Sequence, residues 1–538
     1  LRNTLQFSSG ELNNSFTFSG RLSQINSDGY IDRASSDLDA YFFQGTFQDE
    51  STLIKALVFG GKEITYQAYW GIDAVTLRTN RTYNTAGEIY DENGNRFSFY
   101  DNQVDNYNQE HYQFHWNERL NSNWNFTLGL NYTHGKGFYE EYNDLWYDQN
   151  IGFSGSTSFD YLQLNPFTLS DSTITNSENI SQKWLDNDYY VITLGFNYNT
   201  DSTTLNFGGM FSRYVGDHFG HLIWGQNLGE VLPNHRFYEN QGIKKEGSFF
   251  AKATQNISEG LTAFVDLQLR SIAYQVSGQV AGPAPFSVDD DFLFFNPKAG
   301  LTYQVASRQK LYFSYAKAQR EPNRTDYENG NPKPEKLDDF ELGWRINTQK
   351  LQAQTNIYWM EYKDQLVLTG AIDEVGAPIR QNVGKSRRVG IELELKMKLL
   401  PNWMWQPNLA LSRNQNLDFY FKRDGVLENL GKTQLAYSPN FVGGSAFMYM
   451  PSTRFQIGLL SKYVGKQYMG NIDSEKSTLE AYFVNDLNAV FTWVPNKWVS
   501  EIQWSFLINN IFDKRYESNG YFYTYDDSWS MPGQVTTI

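Results

Sequence analysis

The chain contains no cysteine. That excludes a disulfide framework and any thiolate metal centre, and leaves the redox compartment open. No run of 18 or more apolar residues occurs, so the sequence offers no membrane-spanning helix. Basic charge is not in excess. Against 60 Asp and Glu stand 45 Lys and Arg, a net charge of −15. No basic face dominates, which argues against a nucleic-acid partner. No initiator methionine or signal peptide opens the chain; Leu1 begins in strand-like sequence, and Thr537-Ile538 follow a Gly-rich loop. The expectation is a fragment of a longer precursor, cut at both ends.

What is present is length, aromatics and alternation. The 538 residues suffice for several soluble domains or one very large closed sheet. Phe, Trp and Tyr make up 17% of them, 36 being Tyr, while mean hydropathy is only −0.56. Segments of strict period two recur. Trp124, Phe126, Leu128, Leu130 and Tyr132 alternate with Asn125, Thr127, Gly129, Asn131 and Thr133. Ile192, Leu194, Phe196 and Tyr198 do so with Thr193, Gly195 and Asn197; Leu261 to Leu269 and Ile502 to Ile508 repeat the pattern. The fullest case is Gln381–Trp405. Ile391, Leu393, Leu395, Met397 and Leu399 fall on one face, and Glu392, Glu394, Lys396 and Lys398 on the other. Such a strand belongs to a soluble sandwich with its apolar face inside, or to a membrane barrel with that face outside.

The connections decide between them. Short ones carry turn chemistry: 10–14, Asn121-Ser122-Asn123, Asp201-Ser202, Ser258-Glu259-Gly260, Ser307-Arg308, Pro401-Asn402, Pro451-Ser452 and Pro495-Asn496. Long ones run over about 64–105, 136–186, 215–243, 277–293, 320–336, 364–385, 417–438, 466–480 and 514–538. The two kinds take turns, which in an up-and-down sheet puts all long loops at one end. Outer-membrane barrels have that asymmetry. About twenty strands are expected, and one more at each end would give an even number. A propeller would repeat roughly every 40 residues, and no such repeat is present. The fold class expected is all-β, a transmembrane antiparallel β-barrel. Trp403 and Trp405, after the Pro401-Asn402 turn, are expected in the aromatic girdle at the short-turn end.

Four stretches carry a resemblance. They are Tyr315-Ala316-x-Ala318-x-Arg320-Glu321-Pro322-Asn323-Arg324 with Asn331-Pro332-Lys333-Pro334-Glu335 and Glu341-x-Gly343; Asn382-Val383-Gly384-Lys385-Ser386 with Gly390-Ile391-Glu392-x-Glu394; Ser438-Pro439 with Gly465-x-Gln467-Tyr468; and Asn509-Asn510-Ile511-Phe512-Asp513-Lys514-x-Tyr516. In this order they resemble the TonB-dependent outer-membrane transporters, over essentially the whole chain. The resemblance implies a 22-stranded barrel in the outer membrane of a Gram-negative bacterium, amid lipid and lipopolysaccharide. It implies a metal-chelate substrate, a ferric siderophore above all, and no enzyme activity or cofactor. It also implies a TonB-ExbB-ExbD complex acting through a plug and TonB box. Neither element is visible in the sequence, nor is the family's last strand with its terminal aromatic residue. Import of cobalamin, haem, peptide or glycan, a surface lipoprotein capping the loops, a passive porin or surface-binding barrel, and a soluble all-β binding protein stay open.

Other chemistry is thinly supported. Asn382–Ser386 ends like a phosphate-binding loop, but Ile379 stands where its first glycine belongs. Asp91-x-Asn93-x-Asn95 begins like a calcium loop, but Arg96 and Asn102 replace its glycine and glutamate, so a hydrated loop is expected. Asp289-Asp290-Asp291 reads as a solvated loop tip. Asp217-His218-x-x-His221, with His235, is the best metal-like cluster if the backbone turns there. His111, His115 and His134 are expected on strands. No G-x-S-x-G, H-E-x-x-H or cysteine nucleophile occurs. The long loops are rich in rings, which suit a planar or amphipathic ligand. The candidate substrate-binding residues are Tyr66, Trp70, Tyr139, Trp146, Tyr147, His218 and Trp224, with Arg320 and Arg324 as attractors of an anionic ligand.

Overall fold

The computed structural model describes residues 1–147, 157–232, 234–280, 285–372, 378–423, 426–495 and 499–522. Twenty-one strands form one antiparallel sheet. The first eight are β1 (Arg2–Ser8), β2 (Phe16–Ser27), β3 (Ser36–Gln48), β4 (Thr52–Tyr66), β5 (Val104–Arg119), β6 (Trp124–Asn143), β7 (Asn179–Asn199) and β8 (Thr203–Gly225). Next come β9 (His235–Ser258), β10 (Leu261–Gln279), β11 (Pro285–Ala306), β12 (Gln309–Arg320), β13 (Glu335–Asn347), β14 (Leu351–Ile372) and β15 (Pro378–Leu400). The last are β16 (Trp403–Arg423), β17 (Val426–Gln434), β18 (Phe441–Ser452), β19 (Phe455–Val464), β20 (Tyr482–Trp493) and β21 (Ile502–Ile508). β17 and β18 pair with the same neighbour, β16, so they are one interrupted strand, and among the described residues the sheet has 20 crossings. The chain divides into two compact units: Leu1–Ile72, Asn80–Lys252 and Gln268–Phe294; then Asp73–Thr79, Ala253–Leu267 and Phe295–Ile538.

In the first unit the two faces of the sheet differ sharply. On one face, registered rows run Phe114–Leu130–Ile192 and Trp116–Leu128–Leu194 across β5, β6 and β7. Leu130, Ile192 and Leu194 are 39%, 47% and 41% exposed. Aromatic rows bound them. Toward the long connections Tyr112 stacks on Tyr132 at 5.9 Å and Tyr132 on Tyr190 at 4.9 Å. Toward the short turns Trp124 meets Tyr198 at 4.9 Å, and Phe196 meets Phe207 at 5.4 Å. From Tyr132 to Trp124 the strand climbs about 27 Å, which with strand tilt suits a hydrocarbon band about 25 Å tall. Just beyond the tyrosine row the face turns polar: the Tyr132 hydroxyl donates to Asp188 at 2.7 Å, and His134 Nδ1 lies 3.1 Å from the same oxygen. The opposite face is mainly polar, with His111 between Thr133 (2.8 Å) and Gln109 (3.1 Å) and stacked on Phe59 at 4.5 Å.

In the second unit the alternation of β15 is realised in the sense of a membrane barrel. Ile357, Ile391 and Leu411 form one registered row, exposed at 47%, 37% and 48%. Above it on the same face, Trp359 donates to Glu361 at 2.7 Å and Arg387 pairs with Glu361 at 2.5 Å. At the short-turn end Trp403 packs on Phe447 (5.1 Å) and Tyr449 (4.5 Å), and Trp405 donates to Ser445 at 2.8 Å. Glu392 and Glu394 sit on the other face, opposite Asn356 and Gln354, while on that face Tyr312 donates to Asn356 at 3.0 Å.

The short/long alternation holds, with corrected bounds. Two further short turns connect β3 to β4 and β13 to β14. Asp49 accepts from the Ser51 and Thr52 amides, and Thr348 from the Lys350 and Leu351 amides, so side-chain turns replace Gly and Pro there. Residues 28–35 form another long-end connection, between β2 and β3. Elsewhere strands overrun the expected loops. The β7–β8 ladder continues to Asn179↔Gly225, and the loop expected over 215–243 shrinks to the residues between Gly225 and His235. Polar and aromatic side chains of such extensions pair as readily in water as in a membrane, so the ladder need not stop at the girdle. Asp289–Asp291 accordingly lies on β11 rather than at a loop tip, with Gln275 donating to Asp289 at 2.9 Å. Asn496, Phe153, most of 514–538 and the middle of 364–385 lie outside the described residues.

Candidate functional site

At the long-connection end of the first unit, Arg33 organises the segment between β4 and β5. Its own backbone is left-handed, at φ 62°. Its guanidinium donates to the Asn84 carbonyl and, at 3.3 Å, to that of Ala86, and lies 3.5 Å from the Phe99 ring centroid. Arg96 covers the same ring at 4.5 Å. Tyr66, buried at the end of β4, donates to the Ala86 and Tyr100 carbonyls at 3.1 and 2.8 Å. Glu140 on β6 ties the other side. It accepts from Tyr100 at 2.6 Å, from Asn102, and from Gln182 at 2.5 Å. Burial, then Glu140, pushes the Tyr100 hydroxyl above its ordinary range, so it stays a donor. Tyr83, which donates to Glu88, is pushed up to about 12, chiefly by burial.

Three lesser features complete that end. Lys183 and Glu141 form a nearly buried pair at 3.0 Å beneath Tyr161, whose ring centroid is 5.7 Å from the ammonium. Residues 157–178 of the connection after β6 fold onto β8 and β9 through a small core of Leu162, Leu222 and Phe237. Asp91 closes its own turn, accepting from the Asn93 and Asn95 amides at 2.9 and 2.8 Å. The Asn95 N–H chiefly holds its carboxyl below the usual range. A metal is not needed to explain that loop.

The histidine motif is not a turn. His218 and His221 both lie on β8, three residues apart, so they point to opposite faces of the sheet and cannot share a metal. His221 packs on Phe219 at 5.1 Å and Trp184 at 6.4 Å. Among the described residues no group of three or more His, Asp or Glu side chains is disposed to hold a metal ion.

The long-connection end of the second unit is held by the stretches that carry the family resemblance. Asn382 on β15 accepts from the Lys333 amide at 2.7 Å and donates to the Lys333 carbonyl at 3.0 Å and the Asp364 carbonyl at 2.7 Å. Glu335 pairs with Arg320 at 3.0 Å and accepts from the Leu366 amide at 3.0 Å. Between them a short helix, Arg324–Glu328, starts on an Asn323 cap that Asp326 reciprocates. Asp326 is almost fully buried and takes a two-pronged bond from Arg380, at 3.0 and 2.9 Å. The connections here carry cores of their own: Val367, Val383, Phe419 and Leu435 in one, Met469, Leu479 and Phe522 in another. Gly370, at φ 99°, lets the chain pass so close that a side chain there would stand 2.5 Å from the Met469 carbonyl.

The candidate residues therefore divide. Tyr66 holds a loop from within. Trp146 stacks on Tyr90 at 5.1 Å, and Trp70 meets Tyr69 at a tilt at 5.1 Å, both half-buried. Tyr139 and His218 end up on the polar face of β6 and β8, and Trp224 is 44% exposed. The side chain of Tyr147 lies outside the description. Arg320 is paired with Glu335, and Arg324 with Glu328 at 2.7 Å. Tyr66, Trp146 and Tyr139 belong to the first unit, as do His218 and Trp224; Arg320 and Arg324 belong to the second. Sequence reasoning missed Arg33, Glu140 and the Asp326–Arg380 pair, whose partners lie 51 to 53, 38 to 42 and 54 residues apart and leave no local signal, and it read Asn382 only as part of a family stretch.

A family model described as TonB dependent receptor-like, beta-barrel, matches residues 66–511. The chain belongs to that family. It is thus an outer-membrane barrel protein that crosses the membrane many times by strands, and its exposed apolar face is the lipid face. The chain is 26% identical over 190 residues to the pesticin receptor of Yersinia enterocolitica, a match covering 35% of this chain and 26% of that protein. A match to the ferric-pyoverdine 358 receptor of Pseudomonas putida is 21% identical over 195 residues, 35% of this chain and 23% of that one. The matched stretch thus spans about a quarter of these relatives' length. Among solved structures the fold is similar to the siderophore receptor PiuA of Acinetobacter baumannii, at TM-score 0.70 and 15% identity over 99% of this chain and 77% of that one. It is also similar to the ferric yersiniabactin uptake receptor of Yersinia pestis, at TM-score 0.67 and 14% identity over 98% and 74%.

Proposed function

We propose that the receptor is an active importer that captures a metal chelate, most simply a ferric siderophore, at its long-loop end. It passes the chelate inward when TonB, driven by ExbB and ExbD, pulls on a plug and TonB box in the full protein. One observation carries the reading: family membership over 66–511 coincides with loops that are folded and cored rather than loose. The curated relatives named as a pesticin and a ferric-pyoverdine receptor support the substrate class. On this reading residues 1–538 are the barrel domain of a longer chain, and the barrel contributes no bond chemistry and no cofactor. Lipopolysaccharide and lipid surround the apolar band. Trp70, Tyr139, Trp146, His218 and Trp224 are assigned to the ligand's path, with Tyr66 acting indirectly through the loop it holds.

The test is growth on iron-limited medium of the source bacterium lacking the full-length receptor gene, with one ferric chelate supplied at a time. The reading expects growth on one chelate to be lost and restored by the gene. Undiminished growth on every chelate, with haem and cobalamin use also unchanged, would remove it.

A further inference from the structure

The outer wall of the first unit carries a second aromatic row, beyond the tyrosines that bound the apolar band. On β6 the side chains of Tyr132, His134, Lys136 and Phe138 share one face, because the ladders to β5 and β7 pass through this stretch without a register shift. Trp184 on β7 is registered with Phe138 on one side and with Phe219 of β8 on the other. The three rings touch. Phe138 and Trp184 are 4.6 Å apart between centroids, and Trp184 and Phe219 are 5.9 Å apart with their planes 5° from parallel.

This row is neither girdle nor loop packing. Two rows of charge separate it from the tyrosines: His134 lies 3.1 Å from Asp188, and Lys136 2.8 Å from Asp186. The loop core of Leu162, Leu222 and Phe237 is elsewhere, since Leu222 is registered with Ser181, whose side chain points to the opposite face from Trp184. Polar groups frame the rings. The Lys136 ammonium is 5.9 Å from the Trp184 centroid, and the Arg236 guanidinium 4.3 Å from that of Phe219. The Trp184 indole donates to Gln182 at 2.9 Å, and Gln182 donates to Glu140 at 2.5 Å, so the central ring is fixed in place.

Height selects the occupant. Phe138 is six residues beyond Tyr132, which is about 20 Å along the strand and, with strand tilt, about 15 Å further from the membrane. A phospholipid headgroup layer adds only about 5–8 Å outside the hydrocarbon. The rings therefore stand above any phospholipid headgroup, on the wall that continues the lipid face upward. A lipid with a long headgroup of several sugars reaches them.

We propose that Phe138, Trp184 and Phe219 form a binding site for the core sugars of an outer-leaflet glycolipid, lipopolysaccharide. The C–H faces of the sugar rings stack on the aromatic rings, and their hydroxyls bond to the flanking carboxylates and cations. The acyl chains of the same molecule lie lower, along Leu130 and Ile192 of the same two strands. The inference rests on the membrane placement of the sheet and not on the cargo.

The experiment folds full-length receptor into vesicles of three kinds: phosphatidylethanolamine alone, with core-bearing lipopolysaccharide, and with lipid A that lacks core sugars. Brief hydroxyl-radical oxidation is read residue by residue by mass spectrometry. Phe138 and Trp184 should be modified several-fold less with core-bearing lipopolysaccharide only, while Trp224, 44% exposed, is unchanged. A second arm measures lipopolysaccharide binding to receptor in detergent. Trp184→Leu should weaken the core-bearing form about fivefold or more and Trp184→Phe much less, with lipid A binding unchanged in both. Equal modification in the three vesicles would overturn the proposal, as would undiminished binding by Trp184→Leu. Protection by phosphatidylethanolamine alone would overturn it too, since ordinary headgroups would then reach the row. None of these outcomes bears on the import reading, which the growth test decides.

Discussion

Asn382 grips Lys333 from two sides. Its Oδ1 accepts the Lys333 N–H at 2.7 Å, while its Nδ2 donates to the Lys333 carbonyl at 3.0 Å. The two residues are 49 positions apart, and each sits in a stretch typical of the family. The amide of Asn382 thus does for the connection between β12 and β13 what a neighbouring strand would do. Replacing Asn382 by Ala removes both bonds and a third, to Asp364. Local protection of the Lys333 amide should fall by about 1–3 kcal/mol, with little change in global stability. Hydrogen exchange at Lys333 reads this; unchanged exchange would show that the latch is idle.

Among the described residues of the second unit, Asp326 and Arg380 form the most buried ion pair, with the Asp326 side chain 1% exposed. Removing one partner leaves the other charge stranded. Arg380→Met should cost about 3–5 kcal/mol of local stability, and the double change Asp326→Leu with Arg380→Met much less. Denaturant titration of loop-resident fluorescence in the two variants checks the order.

Tyr437, at φ 51° in the connection before β18, donates to the Gly520 carbonyl at 2.8 Å. Burial raises its pKa, so the folded loops hold its proton more tightly than the unfolded chain does. Its contribution is therefore whole below about pH 10, the unfolded value, and is lost as pH rises beyond it. Proteolysis of the 435–440 connection should accelerate above that pH in the native receptor. The Tyr437→Phe variant should lack this alkaline step.

Glu140 gathers Tyr100, Asn102 and Gln182 onto one buried carboxylate. Glu140→Gln keeps the shape but turns one acceptor oxygen into a donor facing donors. The connection between β4 and β5 should loosen, and chelate affinity should fall several-fold, in full-length receptor assayed by direct binding. Wild-type affinity in that variant would place the segment outside the ligand's path.

How much of this could be read beforehand follows from the range of each interaction. Period two in Ile391–Leu399 revealed both faces of β15, because facing is a local property of a strand. The sense of the faces needed the loops, whose alternation survives in the structure. Turns built on Asp49 and Thr348 were missed because their signal is one side-chain oxygen rather than a Gly or Pro. The loop cores were hidden for another reason. Val367, Val383, Phe419 and Leu435 are single apolar residues in polar surroundings, and only their meeting makes them a core. The ring-rich loops were correctly noticed, but most rings, Tyr66 first among them, pack the loops themselves.

The central claim is that the sheet is apolar on its lipid side and polar on its inner side, and neighbouring residues of β15 test it most directly. Leu395 and Glu394 are adjacent in sequence and lie on opposite faces, against Ala353 and Gln354 respectively. Stability should be measured for full-length receptor folded into lipid vesicles, with Leu395→Arg and Glu394→Arg compared. The account predicts a loss of about 2–4 kcal/mol for Leu395→Arg, near the bilayer midplane, and a much smaller change for Glu394→Arg in the wet interior. Equal costs, or the larger cost at Glu394, would contradict it.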